Sequence, residues 1–331
     1  MSGRSSIKAV TPKWYRVYRN APDDIGLPAP KRRANIPGAT ESPKWKCPSV
    51  GASYNELRVG VPALRRIMSE PNIPDSRKYA TLDPKKVDHV AFIQGVLSPR
   101  WSLDYLNMIY TEQGIDCVNI GPRFMNAGPF KVSISRMERE LRRQFEACNV
   151  GISPDKVNKI TLVGHSLGGI YALYLAAKFP EMVDKVVLYA SPFMGKSNEI
   201  SDITRLGLLA DGMSKVDQFM NKDILYNWDI EKILEKLKAS GTEVITINAG
   251  RDGIVDPRAG FVDFTDVRAP KGVNYYVPDG THLSVIADDY PGILGANIVK
   301  AKPGEFFLAT DPEFAIPILG TQLPPNLSLA V

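Results

Sequence analysis

Apolar residues along this chain fall into two alternating patterns. Short runs rich in β-branched residues read as buried strands: Asp88–Leu97, Asp116–Gly121, Ile160–Val163, Lys185–Ala190, Glu243–Ala249 and Val273–Val277. Between them lie stretches whose apolar positions recur every three or four residues, the spacing of one helix face. Ser102–Glu112 carries Leu103, Leu106 and Ile109, and Ser133–Cys148 carries Ile134, Met137, Leu141 and Phe145. Ile170, Leu173, Tyr174 and Ala177 follow the third strand, and Asp229–Ala239 presents Ile230, Ile233, Leu234 and Leu237. A shorter helix is expected at Val61–Met68. Strands alternating with helices at this spacing predict right-handed crossovers and a mostly parallel sheet, an α/β architecture. The interval between Ala190 and Glu243 is too long for one crossover helix. Its first part, residues 195–228, is expected to be a helical lid insertion over a site.

The junction of the third strand with its helix carries the chain's most informative chemistry. Gly164-His165-Ser166-Leu167-Gly168 is a G-x-S-x-G sequence set between a β-branched run and a helical face. A chain passing from strand to helix with almost no loop forces its central residue into a strained conformation. Gly164 and Gly168 leave room where any Cβ would crowd its neighbour. Ser166 then stands clear of the sheet at a helix start, where the Leu167 N–H and the positive helix end face a developing oxyanion.

Composition narrows the setting. The 331 residues are 44% apolar, enough for one large core. No apolar run approaches the roughly 18 residues of a membrane span, and no signal-peptide pattern is seen at the N-terminus, so a cytoplasmic location is expected. Three widely spaced cysteines, Cys47, Cys117 and Cys148, fit a reducing compartment rather than a disulfide framework or zinc site. Charge is uneven: residues 1–50 hold ten basic and three acidic side chains, a net +7 within a total of +5. With its seven prolines this segment reads as a basic arm ahead of a domain spanning 51–331. Lys31-Arg32-Arg33 would be its point of contact with nucleic acid or another anionic surface, although a solvated tail is the plainer reading.

A serine hydroxyl needs a base, and the base an orienting acid. Of three histidines, His89 stands at the entrance to the first strand and His165 adjoins the serine on a sharp turn that aims it elsewhere. His282, in the loop after Val273–Val277, remains as the base. The segment after Glu243–Ala249 offers two acids, Asp252 and Asp256.

Together, Gly164-His-Ser-Leu-Gly-Gly169, Asp252-Gly-Ile-Val255 and Gly280-Thr-His282 resemble the three signatures of the α/β-hydrolase superfamily in its Ser…Asp…His order. The likeness to the acid turn of bacterial lipases and esterases favours Asp252, with Asp256 as the alternative. It also implies a second oxyanion donor in Gln94-Gly95-Val96-Leu97, by analogy the Val96 N–H, with Leu97 the next choice. Two departures from the family pattern stand out. Gln94 replaces a common histidine, and Gly121-Pro-Arg-Phe replaces a common Asp-x-x-Gly loop.

The resemblance implies a serine hydrolase acting on a small-molecule ester or acyl lipid, without metal or organic cofactor. Thioesterase, acyltransferase or other chemistry of the same triad is the alternative. A catalytically silent fold used as a binding module is the reading from another class, and oligomeric state is left open.

Overall fold

The computed structural model describes residues 56–62, 65, 80–95, 98–122, 130–192, 230–255, 257–305 and 315–319. The basic arm, the lid insertion, Val96, Leu97 and Asp256 lie outside them, as does most of the helix expected at Val61–Met68, of which Val61, Pro62 and Arg65 are helical.

Seven strands form one sheet: β1 (His89–Ile93), β2 (Asp116–Asn119), β3 (Ile160–His165), β4 (Val183–Tyr189), β5 (Glu243–Ala249), β6 (Gly272–Val277) and β7 (Ile316–Ile318). Their order is β2-β1-β3-β4-β5-β6-β7. All neighbouring pairs are parallel except β6 with β7. The mostly parallel sheet expected from the alternating pattern is therefore observed, with an antiparallel edge strand added. Five α-helices of nine residues or more accompany the sheet among the described residues: α1 (Asp104–Glu112), α2 (Phe130–Cys148), α3 (Leu167–Lys178), α4 (Ile230–Ser240) and α5 (Asp289–Lys300).

The two-residue side-chain period of the strands sorts the core onto two faces. On β4, Val186 and Leu188 join one apolar cluster with Ile170 and Leu173 of α3, Met137 and Leu141 of α2, and Ile233 and Leu237 of α4. Val187 and Tyr189 join another with Leu106 and Tyr110 of α1 and Leu294 and Ile298 of α5. The result is three layers, with β4 in the middle of the sheet beside β3, and α3 sheltered beneath α2 and α4. From Leu167 to Ala177 every residue of α3 is buried, which suits its nearly unbroken apolar sequence.

The second face is tied together by polar groups as well. Lys185 of β4 donates to the carbonyls of Ile298, Val299 and Ala301 at the end of α5 (2.7, 3.3 and 3.0 Å). A cation placed there also complements the negative end of that helix. Tyr110 and Tyr189 hydroxyls meet at 3.0 Å, and Tyr189 donates onward to the Pro291 carbonyl. Among the described residues, no helix is long and apolar enough to cross a membrane.

Candidate active site

Parallel strands deliver their carboxyl ends to one edge of the sheet, and three of the singled-out side chains sit in loops there. Ser166 follows β3, Asp252 follows β5 and His282 follows β6. Ser166 has φ 53° and ψ −126°, a left-handed conformation that a residue with a Cβ adopts only under constraint. Its N–H still donates to the Tyr189 carbonyl at 2.9 Å, so the sheet ladder holds the strained residue at its edge. Leu167 is the first residue of α3, where a helix leaves its N–H without an intrahelical partner.

The glycines explain how the turn is packed. A Cβ on Gly164 would come within 2.5 Å of the Gly169 backbone. One on Gly168 would overlap the Ile93 carbonyl oxygen and lie 2.8 Å from that of Gln94. The elbow thus presses directly on the end of β1. A Cβ on Gly95 would in turn meet the Cβ of Ser166 at 3.0 Å, so the loop after β1 runs against the serine.

His282 is gripped at three points. Its Nδ1 lies 2.8 Å from Oδ2 of Asp252. Its backbone N–H donates to Glu56 at 2.7 Å, and its carbonyl accepts from Nε2 of His165 at 3.0 Å. Asp252 is itself fixed: its Oδ1 accepts the N–H groups of Ile254 (2.8 Å) and Val255 (2.7 Å). Burial alone would depress the His282 pKa, but the Asp252 charge and hydrogen bond, with the Glu56 charge, raise it above 6.5. His165 goes the other way. Burial, then the nearby His282, push it down to about 3, so it is a neutral donor, its ring tilted by 51° to that of His282 with centroids 4.8 Å apart. His89 sits at the opposite end of the sheet, with Nε2 on the Asp83 carbonyl at 2.9 Å.

Residues 143–216, which run from the last turns of α2 through β3, the elbow, α3 and β4, match the family described as alpha/beta hydrolase fold. The chain has the α/β-hydrolase fold. A mouse (Mus musculus) "Serine hydrolase-like protein" is 51% identical over 49 residues, 14% of this chain and 16% of the mouse protein. The match therefore spans about a sixth of that relative's length. Solved structures with similar backbones include a lipase-esterase related protein from Clostridium acetobutylicum. It is 15% identical over 66% of this chain and 96% of that one, with a TM-score of 0.46. Est1E from Butyrivibrio proteoclasticus is 15% identical over 69% and 91% of the two chains, with a TM-score of 0.42.

The two departures from the α/β-hydrolase pattern turn out to be one contact. Gln94 is buried and its Nε2 donates to the Pro122 carbonyl at 2.5 Å. A Cβ on Gly121 would collide with the Gln94 side-chain amide. The glutamine in the loop after β1 and the Gly-Pro in the loop after β2 therefore fit each other.

Glu56 is the residue of the candidate site that the chain's pattern did not reveal. It lies in a π-helical turn, Glu56–Gly60, and is buried against the loops of both Asp252 and His282. A single glutamate in an irregular segment carries no spacing or motif that would single it out. Among the described residues, no group of three or more His, Cys, Asp or Glu side chains is arranged to hold a metal ion.

Proposed function

We propose that this chain is a serine hydrolase that cleaves carboxylic esters through an acyl-enzyme on Ser166. The observation that carries the reading is the 2.8 Å Asp252–His282 contact, on two loops at the sheet edge where the strained Ser166 stands. Ser166 Oγ attacks the ester carbonyl while His282 takes its proton at Nε2. Asp252 holds the proton on Nδ1 and stabilises the imidazolium. The Leu167 N–H, with that of Val96, stabilises the oxyanion, a contribution of about 3 kcal/mol per donor at comparable sites. Collapse of the tetrahedral adduct breaks the C–O bond, and His282 returns its proton to the departing alcohol. Water then attacks the acyl-enzyme, losing a proton to His282 and regenerating the Ser166 hydroxyl as the acid leaves. The family pattern suggests a small-molecule ester or acyl lipid as substrate.

Hydrolysis of p-nitrophenyl esters from acetate to palmitate, beside acyl thioesters of matched chain length, tests the substrate class. Faster turnover of the oxyesters is expected. Preference for the thioesters would replace the esterase with a thioesterase, and no turnover of either would favour a non-catalytic role.

The pH profile carries a sign. A base acts only when neutral, and a raised pKa means that the imidazole keeps its proton to higher pH. Activity should therefore fall on the acid side through an apparent pKa above 6.5, the ordinary value for histidine. A kcat/KM profile flat down to pH 5 would contradict His282 as the base.

A further inference from the structure

Three backbone N–H groups from two loops converge on the Glu56 carboxylate. Oε2 accepts from His282 at 2.7 Å and from Gly253 at 3.5 Å, and Oε1 accepts from Leu283 at 2.9 Å. Gly253 is the residue after Asp252, and Leu283 the residue after His282. One side chain thus bridges the acid turn and the base loop from a segment some two hundred positions earlier in the chain. Gly60 makes the fit possible, since a Cβ there would strike Oε1 of Glu56 and lie 2.9 Å from the Thr281 hydroxyl.

The chemistry of the nest calls for a charge. Donors converge on both oxygens, and an ionised carboxylate is an acceptor only, whereas a glutamine would turn N–H groups toward N–H groups. Holding a charge there has a cost. Burial and then the Asp252 charge push the Glu56 carboxyl up, while the charge of His282 and the amide bonds pull it back. A link between two loops needs no charge of its own, but a site in which His282 becomes an imidazolium in both half-reactions gains from one.

We propose that Glu56 is a positioning residue for the base. Its carboxylate ties the His282 loop to the Asp252 turn and supplies a second negative charge beside the imidazolium formed in proton transfer. The other groups facing His282 do not duplicate this role. Asp252 holds Nδ1, and His165 is neutral and donates to the carbonyl. Arg251 and Asp279, on the flanking turns, pair with each other at 2.7 Å near the surface.

The proposal rests on His282 as the base, and its test separates the two claims. Three histidines in the whole chain make the imidazole signals resolvable by NMR, whether or not any ester is turned over. In Glu56→Gln the His282 titration should move to lower pH. On an ester substrate, kcat should fall about tenfold with KM nearly unchanged, and the acid limb should shift to lower pH with that titration. Glu56→Asp keeps the charge on a shorter stem. It should preserve the His282 titration while recovering only part of kcat. A folded Glu56→Gln with an unmoved His282 titration overturns the proposal, as does a loss confined to KM. If Glu56→Gln fails to fold, Glu56→Asp decides: an unchanged titration with lowered kcat supports the role, and wild-type kcat or a shifted titration overturns it.

Discussion

Asp252→Asn should lower kcat roughly ten-thousand-fold while leaving the fold intact. The reason lies in the two amides that Asp252 already serves. Ile254 and Val255 both donate to Oδ1, so the asparagine must turn its oxygen toward them. Its NH2 then faces Nδ1 of His282, which lies 2.8 Å from the present Oδ2. An imidazole meeting a donor at Nδ1 carries its proton on Nε2, and that tautomer cannot accept a proton from Ser166. Steady-state kinetics on the preferred p-nitrophenyl ester, with a thermal melt as the control for folding, reads the effect. A loss of less than tenfold in a folded variant would move the acid role away from Asp252, with Asp256 the first residue to try.

Gly168→Ala should have the second largest effect, on stability first and activity with it. The new methyl would overlap the Ile93 carbonyl oxygen, 2.7 Å from its carbon and 2.8 Å from the Gln94 oxygen. These are backbone atoms at the end of β1, a strand held by β2 and β3 on both sides. They cannot swing aside as a side-chain end would, so relief must come from separating the elbow from β1. Overpacking of this kind costs about 3 kcal/mol or more, enough to lower Tm by roughly 6–10 °C. Because Gly95 lies against Ser166, the same separation moves the loop after β1 away from the serine. Gly304→Ala is the control. Gly304 has φ 82° with nothing within 4 Å of a Cβ, so only the left-handed backbone matters and about 1 kcal/mol is expected. Equal losses in the two variants would show that the close approach to β1 is unimportant.

The elements that the sequence revealed are those whose own residues repeat a pattern. Glu243–Ala249 is buried at all seven positions and its expected bounds match β5. α5 and β7 were not legible, and their sequences say why. α5 contains Pro291, Gly292 and Gly295, which read as helix breakers. The proline falls in the first turn, where its missing N–H is tolerated. The glycines serve packing: a Cβ on Gly292 would lie 2.5 Å from Ile109 Cδ1, and one on Gly295 would strike the Tyr189 and Tyr110 hydroxyls. β7 is three residues with a proline in the middle, tolerable at an edge strand but invisible to a period-two search.

The site divides along the same line. Ser166 was visible because a residue on so strained a strand-to-helix turn needs glycines at fixed positions around it. Asp252 and His282 lie on separate loops, and their pairing was readable only through the order of motifs along the chain. The grip of Glu56 and His165 on the backbone of His282 leaves no mark in the sequence, since an amide donor looks the same under any side chain. The complementarity of Gln94 with Gly121 and Pro122 was hidden likewise, because each half is a departure that gains meaning only beside the other.

The central claim is that Ser166 is a nucleophile activated by His282, and covalent labelling tests it most directly. The purified full-length chain would be incubated with a fluorophosphonate and its intact mass measured, followed by peptide mapping, beside Ser166→Ala and His282→Ala. The account predicts one adduct per chain on Ser166, none in Ser166→Ala, and labelling slowed at least about a hundredfold in His282→Ala. An unlabelled wild-type chain, or an adduct that persists in Ser166→Ala, would contradict it.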